Sequence, residues 1–333
     1  MIIQSSAGAA FFVSLICLGI SYAAWNISTY YVLDRESQQS LEEIQPSAVT
    51  KSTLAFYTFD GLAVSMDINF FLVIFTDWCA VYYNETLTPA EVEDRINVNY
   101  IQLYQINMSE FTPSDYHDYT NVNSFFIRHL MPGIRPIDSP LDTTVLTAPA
   151  DARYTVLETI PTDFNVTIKS ETYTLTDLFG SESKGALFNG GMMIIARLAP
   201  QDYHRYHAPA DGTVVMRTPL AGTIFSVNAD AVPSGNEVFY NKRVVTLVTT
   251  PSLGVMGFIS VGATCVGSIV EVFDEGSEWT KGAEIGHFEY GGSTMIMFFQ
   301  QGMVVADDDL VHSSQLHVEN FVKMGTRIGV AAA

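Results

Sequence analysis

From about residue 144 onward the chain breaks into short runs of β-branched, aromatic and other apolar residues, each closed by Gly, Pro, Asn or Asp. The runs at 144–147, 192–198, 213–216, 223–227, 244–249, 255–261 and 294–299 have the length of strands and are too short for free-standing helices. Short strands bury their apolar faces only by pairing and stacking, so this half predicts an antiparallel β sandwich or a partly closed barrel. Asp177-Leu178-Phe179-Gly180 is the one helical turn that the pattern shows within it.

The residues ahead of 144 have a different texture. Thr88-Pro89-Ala90-Glu91 supplies an N-cap, a first-turn proline and a capping-box glutamate before Val92 and Ile96. Asn123-Ser124-Phe125-Phe126-Ile127-Arg128 reads as a short helix that stops before Pro132-Gly133. The apolar run 70–75, bracketed by Asp67 and Asp77, is too short to span a bilayer and reads as a buried helix or strand. The fold class expected is therefore α+β: a helical N-terminal region over 34–121, then a mainly antiparallel, sandwich or barrel-like β domain at about 144–333.

Residues 7–25 are almost wholly apolar, and no charge appears before Asp34. The length is marginal for a membrane span, and Ser21-Tyr22-Ala23-Ala24 offers a small-residue exit, so residues 1–33 are assigned to a signal anchor or signal peptide. The lack of Lys or Arg at the extreme N-terminus keeps a buried helix as the alternative. Asn-x-Ser/Thr triplets at Asn26, Asn84, Asn107 and Asn165 fit entry into a secretory compartment.

Thirty-six acidic against 16 basic residues give a formal charge of -20, which repels phosphate backbones, so no nucleic-acid partner is expected. Cys17, Cys79 and Cys265 are far apart and form no CxxC pair, which leaves the redox compartment open.

Three segments carry chemistry: Pro149-Ala150-Asp151, Asp202-Tyr203-His204-Arg205-Tyr206-His207 and Gly291-Gly292-Ser293-Thr294. Each alone is ordinary; Asp151 serves as a turn cap, two histidines three apart fall short of a metal site, and Gly-Gly-Ser-Thr is a common turn. The last is unusual in its context, because the apolar run 295–299 follows at once. A diglycine thus delivers a hydroxyl to the start of a core strand, with the backbone freedom to let Ser293 approach the Gly292 carbonyl. Serine needs a base and the base needs an orienting group, and His207 with Asp151 supplies the residue types.

Phe125-Phe126-Ile127-Arg128, Arg135-Pro136-Ile137-Asp138, Pro149-Ala150-Asp151 and the run 199–209 closely resemble the phosphatidylserine decarboxylases. So do Phe225-Ser226-Val227-Asn228, Asn241-Lys242-Arg243-Val244-Val245, Val261-Gly262-Ala263-Thr264, Lys281-Gly282, Glu284-Ile285-Gly286 and Gly291-Gly292-Ser293-Thr294. The resemblance runs in order from about residue 122 to the C-terminus, so the family domain is placed at 122–333. The Gly-Gly-Ser-Thr form looks like the eukaryotic extra-mitochondrial branch. Ala152 after Asp151 departs from the glycine of many relatives, and residues 1–121 carry little resemblance.

The resemblance implies that Asp151 and His207 activate Ser293 to cleave the Gly292–Ser293 bond, giving a β chain up to 292 and an α chain over 293–333. Residue 293 becomes a covalent pyruvoyl cofactor, which serves to decarboxylate phosphatidylserine to phosphatidylethanolamine, with no metal involved. His204 is assigned to the substrate carboxylate and to reprotonation of its α-carbon. The implied partners are phosphatidylserine in a membrane and the two chains of one precursor, with a homodimer left open. The lipid substrate, taken with the apolar residues 7–25 and the Asn-x-Ser/Thr triplets, gives a membrane of the secretory pathway as the expected location, with a lumenal or secreted form left open. Two other readings compete: a zinc peptidase using His204 and His207, and an unprocessed, non-catalytic homologue acting as a lipid-binding or interaction domain.

Overall fold

A computed structural model describes residues 30–43, 81–161, 166–168, 171–222, 241–262, 268–289 and 293–332. The expectations for residues 7–25 and 70–75, the strand 223–227, Asn26, Asn165 and the three cysteines fall outside these residues.

The architecture is α+β with mostly antiparallel sheets. Among the described residues the largest sheet has ten strands, in the order Glu278–Trp279, Gly212–Leu220, Arg243–Thr249, Val255–Gly262, Ser293–Phe299, Met192–Leu198, Ala152–Leu157, Asn320–Val322, Tyr30–Asp34 and Ser40–Glu43. Every neighbouring pair is antiparallel except Tyr30–Asp34 with Asn320–Val322. The sheet is open, with two edges, which corrects the barrel alternative. After Leu198 the chain turns out of the large sheet, and Arg205–His207 pairs instead with Glu284–Phe288, which also pairs with Ile269–Glu271, in a separate three-stranded sheet. Those backbone groups are spent there and cannot close the large sheet.

Alternation along Ser293–Phe299 shows how this strand is covered. Met295, Met297 and Phe299 enter one core cluster with Tyr206, Phe288, Leu146 and Ile328, which come from the smaller sheets. Ile296 and Phe298 enter the opposite cluster, beneath the helix Leu175–Phe179 and Phe188. Both faces are packed, so the run carries no polar alternation.

Residues 81–126 contain a third cluster, built on Ile96, Tyr100, Val122 and Phe125. The helix Pro89–Val92 starts on the expected capping box, with the Thr88 amide donating to Glu91 at 2.8 Å, and it continues as a wider-wound stretch over Glu93–Gln102. The short helix Val122–Phe126 is likewise capped by Asn121. Two elements differ from the sequence reading. The first is a strand pair at 30–43 where a helical region was expected from residue 34: Tyr-Tyr-Val-Leu suits an extended chain, and the Asp34 carboxylate closes the turn by accepting from the Glu36 amide and the Ser37 hydroxyl. The second is the helix Asp308–Gln315, whose polar sequence hides its one fully buried contact, Leu310.

Candidate active site

Ser293 is the first residue of its strand, opposite Gly262 on one side and Leu198 on the other, so it stands at the entrance to the middle of the large sheet. The two residues before it, Gly291 and Gly292, lie outside the described positions. Beyond Leu198 the backbone makes a tight turn: the Asp202 amide donates to the Ala199 carbonyl at 2.9 Å, and the Ala199 amide donates to the Asp202 carboxylate at 2.7 Å. Arg153 pairs with the same carboxylate from the neighbouring strand. This turn presents Tyr203 and His204.

His204 is wholly buried. Its Nδ1 lies 2.9 Å from the Asp202 carbonyl, which only accepts, so Nδ1 carries the proton and Nε2 is the bare nitrogen. Among the described residues Nε2 has no hydrogen-bond partner. The ring stacks on Phe126 with centroids 3.8 Å apart. Burial pushes its pKa down to about 3, against the opposing hydrogen bond to the Asp202 carbonyl and with help from the Arg128 and Arg153 charges. The His204 carbonyl accepts from the Phe288 amide at 2.9 Å, five residues ahead of Ser293 in the chain. His204 is therefore tied by backbone to Phe288, while Leu198, six residues before it, pairs with Ser293.

His207 is differently engaged. Its Nδ1 donates to the Gly282 carbonyl at 2.9 Å, and its Nε2 accepts from the Tyr203 hydroxyl at 3.1 Å. Burial raises the Tyr203 pKa, so that hydroxyl keeps its proton, and burial lowers that of His207. The His207 amide donates to Pro149 O, which brings Pro149-Ala150-Asp151 alongside. No hydrogen bond joins Asp151 to His207. The Asp151 carboxylate instead accepts from Arg135 Nε at 3.1 Å, Arg135 Nη2 at 2.7 Å and the Met324 amide at 2.8 Å. Arg135 Nη2 also donates to Glu110 at 2.6 Å.

The structure thus collects Asp151, His204 and His207 around one end of the two sheets, with Ser293 at the mouth of the central strand. The ring nitrogens of His204 and His207 bind separate backbone carbonyls, and no group of three or more metal-ligating side chains occurs among the described residues. Sequence reasoning quoted Phe126, Arg128 and Arg135 within motifs but gave them no role, and it passed over Tyr203 as the partner of His207.

Residues 122–330 match the family profile of phosphatidylserine decarboxylase. The chain belongs to the phosphatidylserine decarboxylase family. It is 37% identical over 231 residues to the phosphatidylserine decarboxylase proenzyme of Clostridium perfringens, covering 69% of this chain and 78% of that protein. It is 36% identical over 229 residues to phosphatidylserine decarboxylase proenzyme 2 of Oryza sativa, and 37% identical over 231 residues to proenzyme 3 of Schizosaccharomyces pombe. Those alignments cover 68% and 69% of this chain but 36% and 24% of the longer relatives. Identity is nearly equal to plant, yeast and bacterial members and does not separate the branches.

Within this decarboxylase-family chain the matched span contains Asp151, His204, His207 and Ser293 together with both core clusters of the sheets.

Proposed function

We propose that this chain decarboxylates phosphatidylserine to phosphatidylethanolamine and carbon dioxide, after cutting itself between Gly292 and Ser293. Family membership, with Ser293 at the start of the central strand and a buried His204 whose Nε2 is unpaired, is the observation that carries the reading.

In the cut, the Ser293 hydroxyl gives its proton to a histidine and its oxygen attacks the Gly292 carbonyl, exchanging the amide C–N bond for an ester C–O bond. Elimination then passes the Ser293 α-proton to a base as the ester oxygen's bond to the Ser293 β-carbon breaks, leaving a carboxylate on Gly292 and dehydroalanine at position 293. Water converts this to pyruvoyl with release of ammonia. We assign the base to His207 and the supporting charge to Asp151, which acts on His207 through its field across the Pro149 contact. Tyr203 must release His207 Nε2 for this to happen, since it occupies that nitrogen in the uncut chain.

A pyruvoyl group at position 293 would supply an electron-withdrawing centre able to take up the electron pair left by carbon dioxide. His204 handles the proton. Being neutral, it first accepts one at Nε2 from the substrate ammonium and then returns it to the α-carbon once carbon dioxide has gone. Its Nδ1–H, committed to the Asp202 carbonyl, keeps Nε2 aimed at the reacting atoms.

No described helix is long and apolar enough to cross a membrane. A lipid substrate nevertheless places the enzyme at a bilayer, and we assign that contact to the apolar run 7–25, with the secretory endomembranes as the location. The match from residue 122 supports the domain boundary there, although the strand pair at 30–43 is hydrogen-bonded into the same sheet.

Mass spectrometry of the C-terminal fragment tests the reading. The expected fragment begins at position 293 with a ketone and no free amine, and Ser293→Ala leaves one uncut, inactive chain. A free N-terminal serine in a preparation that still releases carbon dioxide from the lipid refutes it.

A further inference from the structure

Arg128 is 2% exposed and forms no ion pair among the described residues. Taking a guanidinium out of water costs several kcal/mol unless something replaces the solvent. Here the replacements are two ring faces and three carbonyls. Its Cζ lies 4.3 Å from the Phe111 centroid and 4.7 Å from that of Phe125. Nη1 donates to the Phe125 carbonyl at 3.2 Å, while Nη2 donates to the carbonyls of Gln201 at 2.8 Å and Asp202 at 3.4 Å. The Asp202 carbonyl is also the acceptor of His204 Nδ1–H. One oxygen therefore joins the buried cation to the histidine, and Phe126, two residues before Arg128, covers the face of the same imidazole.

We propose that Arg128 is the positioning residue of His204: clamped by Phe111 and Phe125, it fixes the Gln201-Asp202 carbonyls and keeps the imidazole neutral, with Nε2 as its open nitrogen. The inference rests on His204 as the proton carrier of the proposed reaction. It also gives the helical residues 81–126 a task, since Phe125 packs in their cluster against Tyr100 and Tyr119 and thereby seats the cation.

The charged and titratable groups around His204 come from several elements. Arg128 approaches from the helical side and Arg153 from the strand Ala152–Leu157. Asp202, on the histidine's own turn, directs its carboxylate to Arg153 and the Ala199 amide. The strand Glu284–Phe288, tied to His204 through the Phe288 amide, brings Glu284 and His287. Glu284 pairs with Arg205, whose charge also bears on His287. The Tyr203 hydroxyl keeps its proton and donates a hydrogen bond to His207. The two cations nearest His204 thus differ: Arg153 is paired with a carboxylate and Arg128 is not.

The test uses the full-length Ser293→Ala chain, which carries no pyruvoyl group, with nitrogen-labelled histidine followed by NMR against pH. His204 is expected not to titrate between about pH 5 and 8. With the titration carried down to about pH 3, Arg128→Met should move its midpoint upward while burial keeps it below the ordinary histidine range, and Arg128→Lys, which keeps the charge, should move it less. In the processed enzyme Arg128→Met should lower kcat about tenfold with little change in KM, because binding groups are retained while the proton carrier is misplaced. An unmoved His204 midpoint in a folded Arg128→Met chain, or equal midpoints for the Met and Lys variants, overturns the proposal. If Arg128→Met fails to fold, Arg128→Lys decides alone: a midpoint raised to the ordinary histidine range with the charge still present refutes the electrostatic role. A wild-type enzyme that leaves phosphatidylserine untouched, with the NMR result as expected, would remove the proposed reaction and leave the positioning intact.

Discussion

Replacing Phe298 by alanine tests how the two pieces of a cut chain stay together. Phe298 is fully buried in the strand Ser293–Phe299, with its ring 5.0 Å from that of Phe179 and 5.7 Å from that of Phe188. Cleavage at Gly292 would place it on the α chain and both partner rings on the β chain, so the contact is between fragments. Truncating a fully buried phenylalanine costs about 3–5 kcal/mol in lost transfer energy and cavity, equivalent to about two to four powers of ten in the unfolding constant. Val305 lies in the same fragment but is 53% exposed, and its change to alanine should stay within about 0.5 kcal/mol. The assay is a urea titration of processed protein, with fragment association followed by size exclusion and unfolding by fluorescence. Wild-type fragments should co-elute until the sheet unfolds, because the α-chain strand is hydrogen-bonded along its length to β-chain strands on both sides. A second α-chain strand, Asn320–Val322, lies between Ala152–Leu157 and Tyr30–Asp34, and Arg35 pairs with Asp307 and Asp309. Phe298→Ala should lower the midpoint sharply and Val305→Ala should not. Equal midpoints for the two variants, or departure of the α chain before the sheet unfolds, would refute the reasoning.

His204→Ala should still mature, seen as two polypeptides on a denaturing gel, but release carbon dioxide from phosphatidylserine poorly; an uncut chain would mean that His204, with its open Nε2, is the processing base instead of His207. Acid should destabilise the fold through its buried histidines: His204 and His207 have lowered pKa values, so the unfolded chain binds protons below about pH 6.5 that the folded chain refuses, at His204 down to about 3. Stability therefore falls as pH drops through that window, by up to about 1.4 kcal/mol per pH unit for each such group. Urea midpoints measured from about pH 7 to 4 should fall less steeply in the uncut Ser293→Ala chain when His204→Phe is added, and parallel curves would count against the burial argument.

The strand runs were legible because each is an unbroken apolar stretch ended by a turn residue, and the boundaries at 192–198 and 255–262 fall within one residue of the reading. The first turn at Thr88 was legible for the same reason, since a capping box is a local interaction between residues three apart. The strand at Tyr30–Asp34 was not, because besides its local hairpin with Ser40–Glu43 it joins the large sheet through Asn320–Val322, almost three hundred residues away. Nor was the helix Asp308–Gln315, which is held to the sheet by Leu310 and by the Ser314 hydroxyl accepting from the Val156 amide.

At the candidate site, the sequence by itself determined the chemical types: a hydroxyl after two glycines, two imidazoles three apart and a carboxylate after Pro-Ala. Collinear motifs fixed the family, because motif order is a property of the chain alone. Which nitrogen is free and which is occupied was decided only by the tertiary structure. Asp151 is turned to Arg135, His207 is held between Tyr203 and Gly282, and His204 hangs from a carbonyl that Arg128 also grips. Hydrogen-bond partners and burial arise from segments brought together by folding, and they set both the direction in which a ring points and whether it carries a proton.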